Sequence, residues 1–369
     1  METIVYIEPW SKSLLNNKLF NGSDNARKDH LLPYSYLKEY CEDRNIRIET
    51  ADKIPEVASD SQKILYYSFG SMDRLNYLSN RNDIKYCSFY LFEPPIKVLK
   101  RNKDLYHQIP LISNLFKRIY TTSPISEINQ IYNKDYRVKT ELFQYPQSHS
   151  ELLEKYWQGD RKDHIVMINS YRYSRLKRNQ FYSKRLKLMK FLARKNFIDL
   201  YGNDWNKLGG NFLTNLLESV LWSLKWVNLR RLKDFFITLP IRGFLKNVPT
   251  SLDKYETMSQ YKYAICFESM GIQGFISEKI FECFFCGTVP IYLGDPKVTD
   301  RIPDNTFIDP RKFKDNDHLY HYVKNLSEED YLEYRNNIKQ FLLSDNYYPF
   351  SKEYFAEHFY NIILEDIQI

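Results

Sequence analysis

Glu278 and Lys279 stand side by side at the mouth of an otherwise apolar stretch, GFISEKIFECFFCGTVPIYLG (274–294). At the start of a helix, this pair has the makings of a sugar-nucleotide grip. Free backbone N–H groups and a partial positive charge face a phosphate there, and Lys279 adds a full charge. Glu278, in the same turn, is suited to accept the two hydroxyls of a ribose. The ordinary alternative is that Glu and Lys simply open a helix, with Glu complementing the dipole. No Gly-rich fingerprint of the dinucleotide or P-loop type precedes them.

The elements that must position the pair are legible around it. AICFE (264–268) and TVPIYLG (288–294) are short, apolar and rich in β-branched and aromatic residues, as buried strands are. Between them Ile280, Phe281, Phe284 and Phe285 recur at helical spacing, with Ser277 as cap and Gly287 as the left-handed terminator. Such a strand–helix–strand crossover is right-handed in nearly all proteins. It brings the helix N-terminus to the carboxyl edge of a parallel sheet, where α/β proteins bind ligands.

The 369 residues suit two domains, with 43% apolar and 27% charged residues and no repeat of fixed period. The 31 Tyr and 24 Phe suit carbohydrate or nucleotide stacking, although the wealth of Ile, Lys and Asn makes codon bias the simpler explanation. A net charge of +7 is modest and scattered, which fits an anionic small molecule or surface and gives no basic stripe for nucleic acid. Five sparse cysteines, Cys41, Cys87, Cys266, Cys283 and Cys286, read as reduced thiols. Cys283 and Cys286 form a C-x-x-C without a second ligand pair, so packing is the expectation and a metal site is not. With no secretory signal and no run of eighteen uncharged apolar residues, a cytoplasmic location is expected.

Strand-like runs at 3–8, 63–69, 87–93, 118–123 and 139–145 alternate with helical or loop segments, the pattern of a doubly wound α/β domain. A polar linker (146–163) precedes a second α/β domain with a strand at 164–170, a basic helix from about 175 to 195, a strand at 197–202 and the crossover above. A further strand is expected at 305–310, then helices to the end, the last over 351–367 after Pro349. Residues 211–239 fit neither domain. Leu213, Leu216, Leu217, Val220, Leu221 and Leu224 share a helical face that runs into Lys225, Arg230, Arg231 and Lys233. An amphipathic helix on an anionic bilayer and a helical insertion packed on the second domain are equally open.

The run FESMGIQGFISEKIFECFFCGTVPIYLGDPKVTDRIPDNTFID (267–309) resembles the signature of glycosyltransferase family 10, the α-1,3/α-1,4-fucosyltransferases. That family carries Phe-Glu-Asn, Gly-Tyr-Val-Thr-Glu-Lys, a Gly-(Thr/Val)-(Val/Ile)-Pro-(Ile/Val)-Tyr-x-Gly-x-Pro and an Ile-Pro followed by Ser-Phe-Ile-Asp. Here they stand as Phe267-Glu268-Ser269, Gly274 to Lys279, Gly287 to Pro296, and Ile302-Pro303 with Thr306 to Asp309. The segment 177–202 is similar to the family's basic helix and following strand, whose Arg reaches the donor diphosphate; Arg178 and Arg185 are rival matches. The looser match over 91–123 makes Glu93 the counterpart of the family's catalytic base.

The resemblance implies an α/β fold of GT-B architecture, two Rossmann-like domains facing across a cleft. An acceptor domain over 1–155 and a sugar-nucleotide domain over 156–350 with a helical insertion at about 206–250 would be followed by a helix at 351–369 crossing back to the first. It implies inverting transfer of L-fucose from GDP-fucose to a hydroxyl of a surface polysaccharide or lipid-linked oligosaccharide. Glu93 would act as general base, Lys279 with Arg178 or Arg185 on the leaving diphosphate, Glu278 on the ribose, and Glu268, Ser269, Phe275 and Ser277 in the donor pocket. No obligatory cofactor or metal is implied, a divalent ion being at most stimulatory. Partners are a sugar nucleotide and an acceptor glycan, with peripheral contact on the inner face of a membrane through 211–239. Ser269 and Phe275 replace the family's Asn and Tyr, which leaves another sugar nucleotide as the alternative, beside a non-catalytic homologue that only binds.

Overall fold

The protein is described from a computed structural model at residues 3–23, 28–57, 63–94, 105–171, 179–203, 205 and 253–368. The amphipathic segment 211–239 and Arg178 lie outside the described residues.

The first sheet is built from β1 (Thr3–Glu8), β2 (Ile46–Thr50), β3 (Ile64–Ser68), β4 (Ile84–Leu91), β5 (Arg118–Thr121) and β6 (Glu141–Leu142). All neighbours run parallel in the order β2-β1-β3-β4-β5-β6. Burial explains the sequence pattern: every residue of β3 is buried, so it reads as one apolar run, as a strand covered on both faces does. The order reverses between β1 and β3, which opens a crevice at their carboxyl ends.

Both faces are covered from distant parts of the chain. On one, the Leu32–Glu42 helix packs beside the C-terminal Lys352–Ile367 helix, and Phe355, Phe359 and Ile363 join Val5, Ile7, Tyr67 and Tyr90 in a single core. On the other, Tyr6, Tyr66, Phe89, Ile112 and Ile119 are met by Met270, Ile272 and Phe275 from the second sheet's loop. Asp366, near the end of the last helix, is buried against the first sheet. Its carboxylate accepts from Lys117 Nζ at 2.7 Å, Arg118 at 2.8 Å and Tyr67 Oη at 2.9 Å.

The second sheet comprises β7 (Lys162–Ile168), β8 (Ile198–Tyr201), β9 (Tyr261–Phe267) and β10 (Val289–Leu293), parallel in the order β10-β9-β7-β8. Three sequence expectations shift. Ile46–Thr50 is a strand where none was expected, because its alternate residues Arg47 and Glu49 mask an edge strand that buries Ile46, Ile48 and the polar Thr50. Residues 139–145 contribute only the two-residue β6. The expected strand at 305–310 reduces to one parallel bridge, Ile291 to Ile308, pinched between tight turns at Asp304–Thr306 and Pro310–Lys312. All five cysteines are free and buried.

Candidate active site

The strand–helix–strand unit forms where the sequence places it. β9 ends at Phe267, and Glu268 continues its pairing by donating its N–H to Leu293 O at 2.8 Å. After a loop, the Glu278–Phe285 helix starts at its cap Ser277, and Gly287 closes it at φ +68° with the Trp157 ring against the space a Cβ would need. The helix buries Ile280, Phe281, Phe284 and Phe285, which leaves Glu278 and Lys279 at its open end.

One buried carboxylate organises that end. Glu268 accepts from Ser277 N at 2.8 Å, from Ser277 Oγ at 2.9 and 2.8 Å, and from Lys279 Nζ at 3.2 Å. Lys279 Nζ also donates to Ser277 Oγ at 2.7 Å and Glu278 Oε1 at 3.3 Å. Burial acts against the Lys279 charge, but Glu268 and Glu278 outweigh it, so the ammonium titrates well above its ordinary range. Burial likewise works against ionised Glu278, yet Lys279, its own N–H and Lys254 hold its carboxyl below the usual range. Both charges therefore persist at neutral pH.

The loop between β9 and the helix is closely packed. Glu268 has no exposed side-chain surface, and it braces Ser277 and Lys279. Phe275 is also buried, in the first sheet's second core rather than in a pocket wall, and the loop is drawn onto that domain so closely that a Cβ on Gly274 would lie 2.3 Å from Thr122 O. Gly274 has φ +91°, and its N–H reaches Asp295 at 2.9 Å. Ser269 is half-buried, and its carbonyl accepts from Phe181 N at 2.9 Å. Gly271 N reaches Asn179 O at 2.8 Å, so the residues immediately after Arg178 are stitched to this loop.

Arg185, on the Tyr182–Arg194 helix, is buried with its guanidinium 5.0 Å from the Tyr182 ring centroid. Burial lowers its pKa to about 10, with Tyr182 and Glu268 pulling the other way. Among the described residues no carboxylate lies within ion-pair distance of it, an arrangement that favours an anionic ligand.

Glu93 lies two residues beyond β4, at the carboxyl edge of the first sheet, and its carbonyl accepts from Tyr106 Oη at 2.5 Å. It is exposed at that edge. Desolvation raises its carboxyl pKa, the negative charges of Glu278 and Glu268 reinforce that, and Lys279 opposes it. The two domains thus bring Glu93 within electrostatic reach of the Glu278–Lys279 pair. Buried Tyr34 and half-buried Tyr145 have their hydroxyls pushed up, mainly by burial; the charge of Glu93 adds to both, and for Tyr145 so do Tyr34 and Glu278.

A second cluster was not legible in the sequence. Lys254 Nζ joins Asp29 at 2.8 Å to Glu282 at 2.6 Å, and Tyr255 Oη donates to Asp29 at 2.6 Å. The network ties the Glu278–Phe285 helix to the first domain one turn past Glu278. Nothing local marks these residues; tertiary structure alone assembles them. Among the described residues no cluster of His, Cys, Asp and Glu is arranged for a metal ion.

Known proteins resemble the chain in sequence and in fold. Residues 162–350, just over half the chain, match the family model described as glycosyltransferase family 10 (fucosyltransferase) C-term. An alpha-(1,3)-fucosyltransferase FucT of Helicobacter pylori is 38% identical over 74 residues, 20% of this chain and 16% of that protein. A GDP-fucose protein O-fucosyltransferase 3 of Homo sapiens is 35% identical over 92 residues, 24% of this chain and 19% of that protein. The alignments thus span less than a fifth of each relative's length. The solved structure of an alpha-glucosyltransferase in complex with UDP and a 13-mer DNA is similar over 98% of this chain and 99% of that one, at 14% identity and a TM-score of 0.52. That likeness concerns the fold, which is the GT-B arrangement of two parallel-sheet domains.

Proposed function

The chain belongs to glycosyltransferase family 10, and on that premise we propose that it is an inverting enzyme transferring L-fucose from GDP-fucose to a hydroxyl of an acceptor glycan. The observation that carries the reading is that Glu93, at the carboxyl edge of one domain, lies within electrostatic reach of Glu278 and Lys279, at the helix start of the other. A base facing a cationic helix start across a cleft is what a one-step displacement at an anomeric carbon requires.

In that step the acceptor oxygen bonds to the anomeric carbon from the face opposite the nucleotide, while the bond from that carbon to the β-phosphate oxygen breaks. Glu93 takes the hydroxyl proton, for which its raised pKa suits it. The charge growing on GDP is taken up by Lys279, by Arg185 or Arg178, and by the free N–H groups of the Glu278–Phe285 helix. Glu278, ionised and half-exposed, holds the ribose hydroxyls. These fixed cations make a divalent metal unnecessary on this reading, so a chelator should leave turnover within about twofold.

Phe in place of Tyr at 275 does not count against fucose. The side chain sits among apolar residues of the first domain, where a phenol is not needed for the donor. The acceptor is read as a surface polysaccharide or lipid-linked oligosaccharide, met in the cytoplasm at a membrane face. No helix among the described residues is long and apolar enough to cross a membrane.

The test is GDP or UDP release from GDP-fucose, GDP-mannose, UDP-galactose and UDP-N-acetylglucosamine by the purified chain and by Lys279→Ala. Release from GDP-fucose alone, reduced at least about a hundredfold in the variant, is expected. Turnover of a different donor overturns the fucose assignment, and a chain that binds GDP-fucose without ever turning it over with glycans is a binder rather than a transferase.

A further inference from the structure

Resting on the acceptor-glycan reading, we propose that Trp10 is the stacking platform for the acceptor, holding the sugar unit next to the one that receives fucose. Trp10 follows β1 by two residues, at the β1/β3 reversal where the first sheet opens its crevice. It is 38% exposed, whereas of the other tryptophans among the described residues Trp157 is half-buried and Trp205 buried. A lone exposed aromatic is ordinary; its position decides the matter here.

The Trp10 ring packs on Tyr34, with centroids 5.2 Å apart and planes at 52°. Tyr34 is itself wedged against Phe69 at 5.4 Å and Phe355 at 5.6 Å, so it gives Trp10 a rigid backing. Tyr34 also senses the charge of Glu93. Through Phe69 the same stack reaches Phe92, the residue before Glu93, with Phe69 and Phe92 centroids 6.0 Å apart. Trp10 and Glu93 each lie two residues past a strand of the first sheet, β1 and β4, so they share its carboxyl edge, on the domain opposite Lys279. A nucleotide gripped by the second domain does not need Trp10.

Indole suits this task on chemical grounds. One face of a pyranose carries mainly C–H bonds with slight positive charge, which meet the negative face of an aromatic ring while the hydroxyls stay in water. The contact orients a sugar without demanding a particular hydrogen-bond pattern. With β3 between β1 and β4, Trp10 and Glu93 are set apart along that edge, so the acceptor is at least a disaccharide, the unit at the base receiving fucose and another lying on Trp10.

The experiment measures steady-state transfer from GDP-fucose to lactose, N-acetyllactosamine and chitobiose by the full chain, Trp10→Ala and Trp10→Phe. In the alanine variant the acceptor KM should rise about tenfold or more while the GDP-fucose KM stays within about twofold, and phenylalanine should recover most of the loss. An acceptor KM unchanged by Trp10→Ala overturns the proposal. A reading independent of turnover comes from the 5-fluorotryptophan-labelled chain with GDP, titrated with the same disaccharides. The Trp10 fluorine signal, assigned by its absence in Trp10→Phe, should shift, and a signal unmoved by all three sugars overturns the platform. If the wild type releases no GDP from GDP-fucose with or without these sugars, it is the fucosyl-transfer reading that fails, and the fluorine signal still decides whether Trp10 meets sugar.

Discussion

At the scale of single residues, the site works by keeping opposite charges alive in a partly dry cleft. Glu93 is the group whose titration should show. Its pKa is raised by desolvation and by Glu278, so the acid limb of the kcat/KM profile should lie above the roughly pH 4.3 of a free glutamate, with activity lost as pH falls through it. Glu93→Gln should remove that limb and lower kcat by about a hundredfold or more, with the GDP-fucose KM little changed. Arg185 offers a different signature, because its charge is buried without an anionic partner among the described residues. Replacing it with Met should leave Tm unchanged or raised, yet weaken GDP binding by at least about tenfold, so that the thermal shift produced by GDP shrinks. A purely structural arginine would lower Tm and leave the GDP increment intact.

At the scale of elements, the crossover from β9 to β10 was readable because its apolar periodicity, its cap and its terminating glycine all agree. The roles within its loop were less readable. Whether Glu268 faces a ligand or braces its neighbours depends on how the chain folds over it, and sequence spacing does not encode that. Phe275 is the same case, since its partners Ile112 and Ile119 belong to the other domain. The Asp29–Lys254–Glu282 network joins residues more than two hundred positions apart, and β2 hid behind the charges of an edge strand. Ser277 concentrates the loop's role in one hydroxyl, which caps the helix, donates to Glu268 and accepts from Lys279. Ser277→Ala should cost about 1–2 kcal/mol in urea unfolding and raise the GDP-fucose KM by loosening Lys279, while Ser277→Thr should restore both.

At the scale of the whole molecule, the two domains are joined by more than a linker. The Lys352–Ile367 helix supplies part of the first domain's core, and Asp366 is gripped by Lys117, Arg118 and Tyr67. Burial alone would raise the Asp366 pKa, but its hydrogen bonds to those three groups hold it below the ordinary value. A depressed carboxyl adds stability above the unfolded pKa and loses it as pH falls through the folded one. Asp366→Ala should therefore cost about 3 kcal/mol at pH 7, and the gap to the wild type should narrow below about pH 4 in denaturant titrations.

The return of that helix also sets an order of events during synthesis. Domains made first usually fold first, as the chain leaves the ribosome. Here residues 3–145 emerge without the helix that covers Tyr67, Phe69 and Tyr90, so their sheet keeps an apolar face bare until residues 352–367 have been translated. The domain made before the other is thus completed after it. A ribosome stalled before residue 352 would hold a chain whose first sheet invites chaperones, and a stop codon there would damage the sheet most distant from it in sequence.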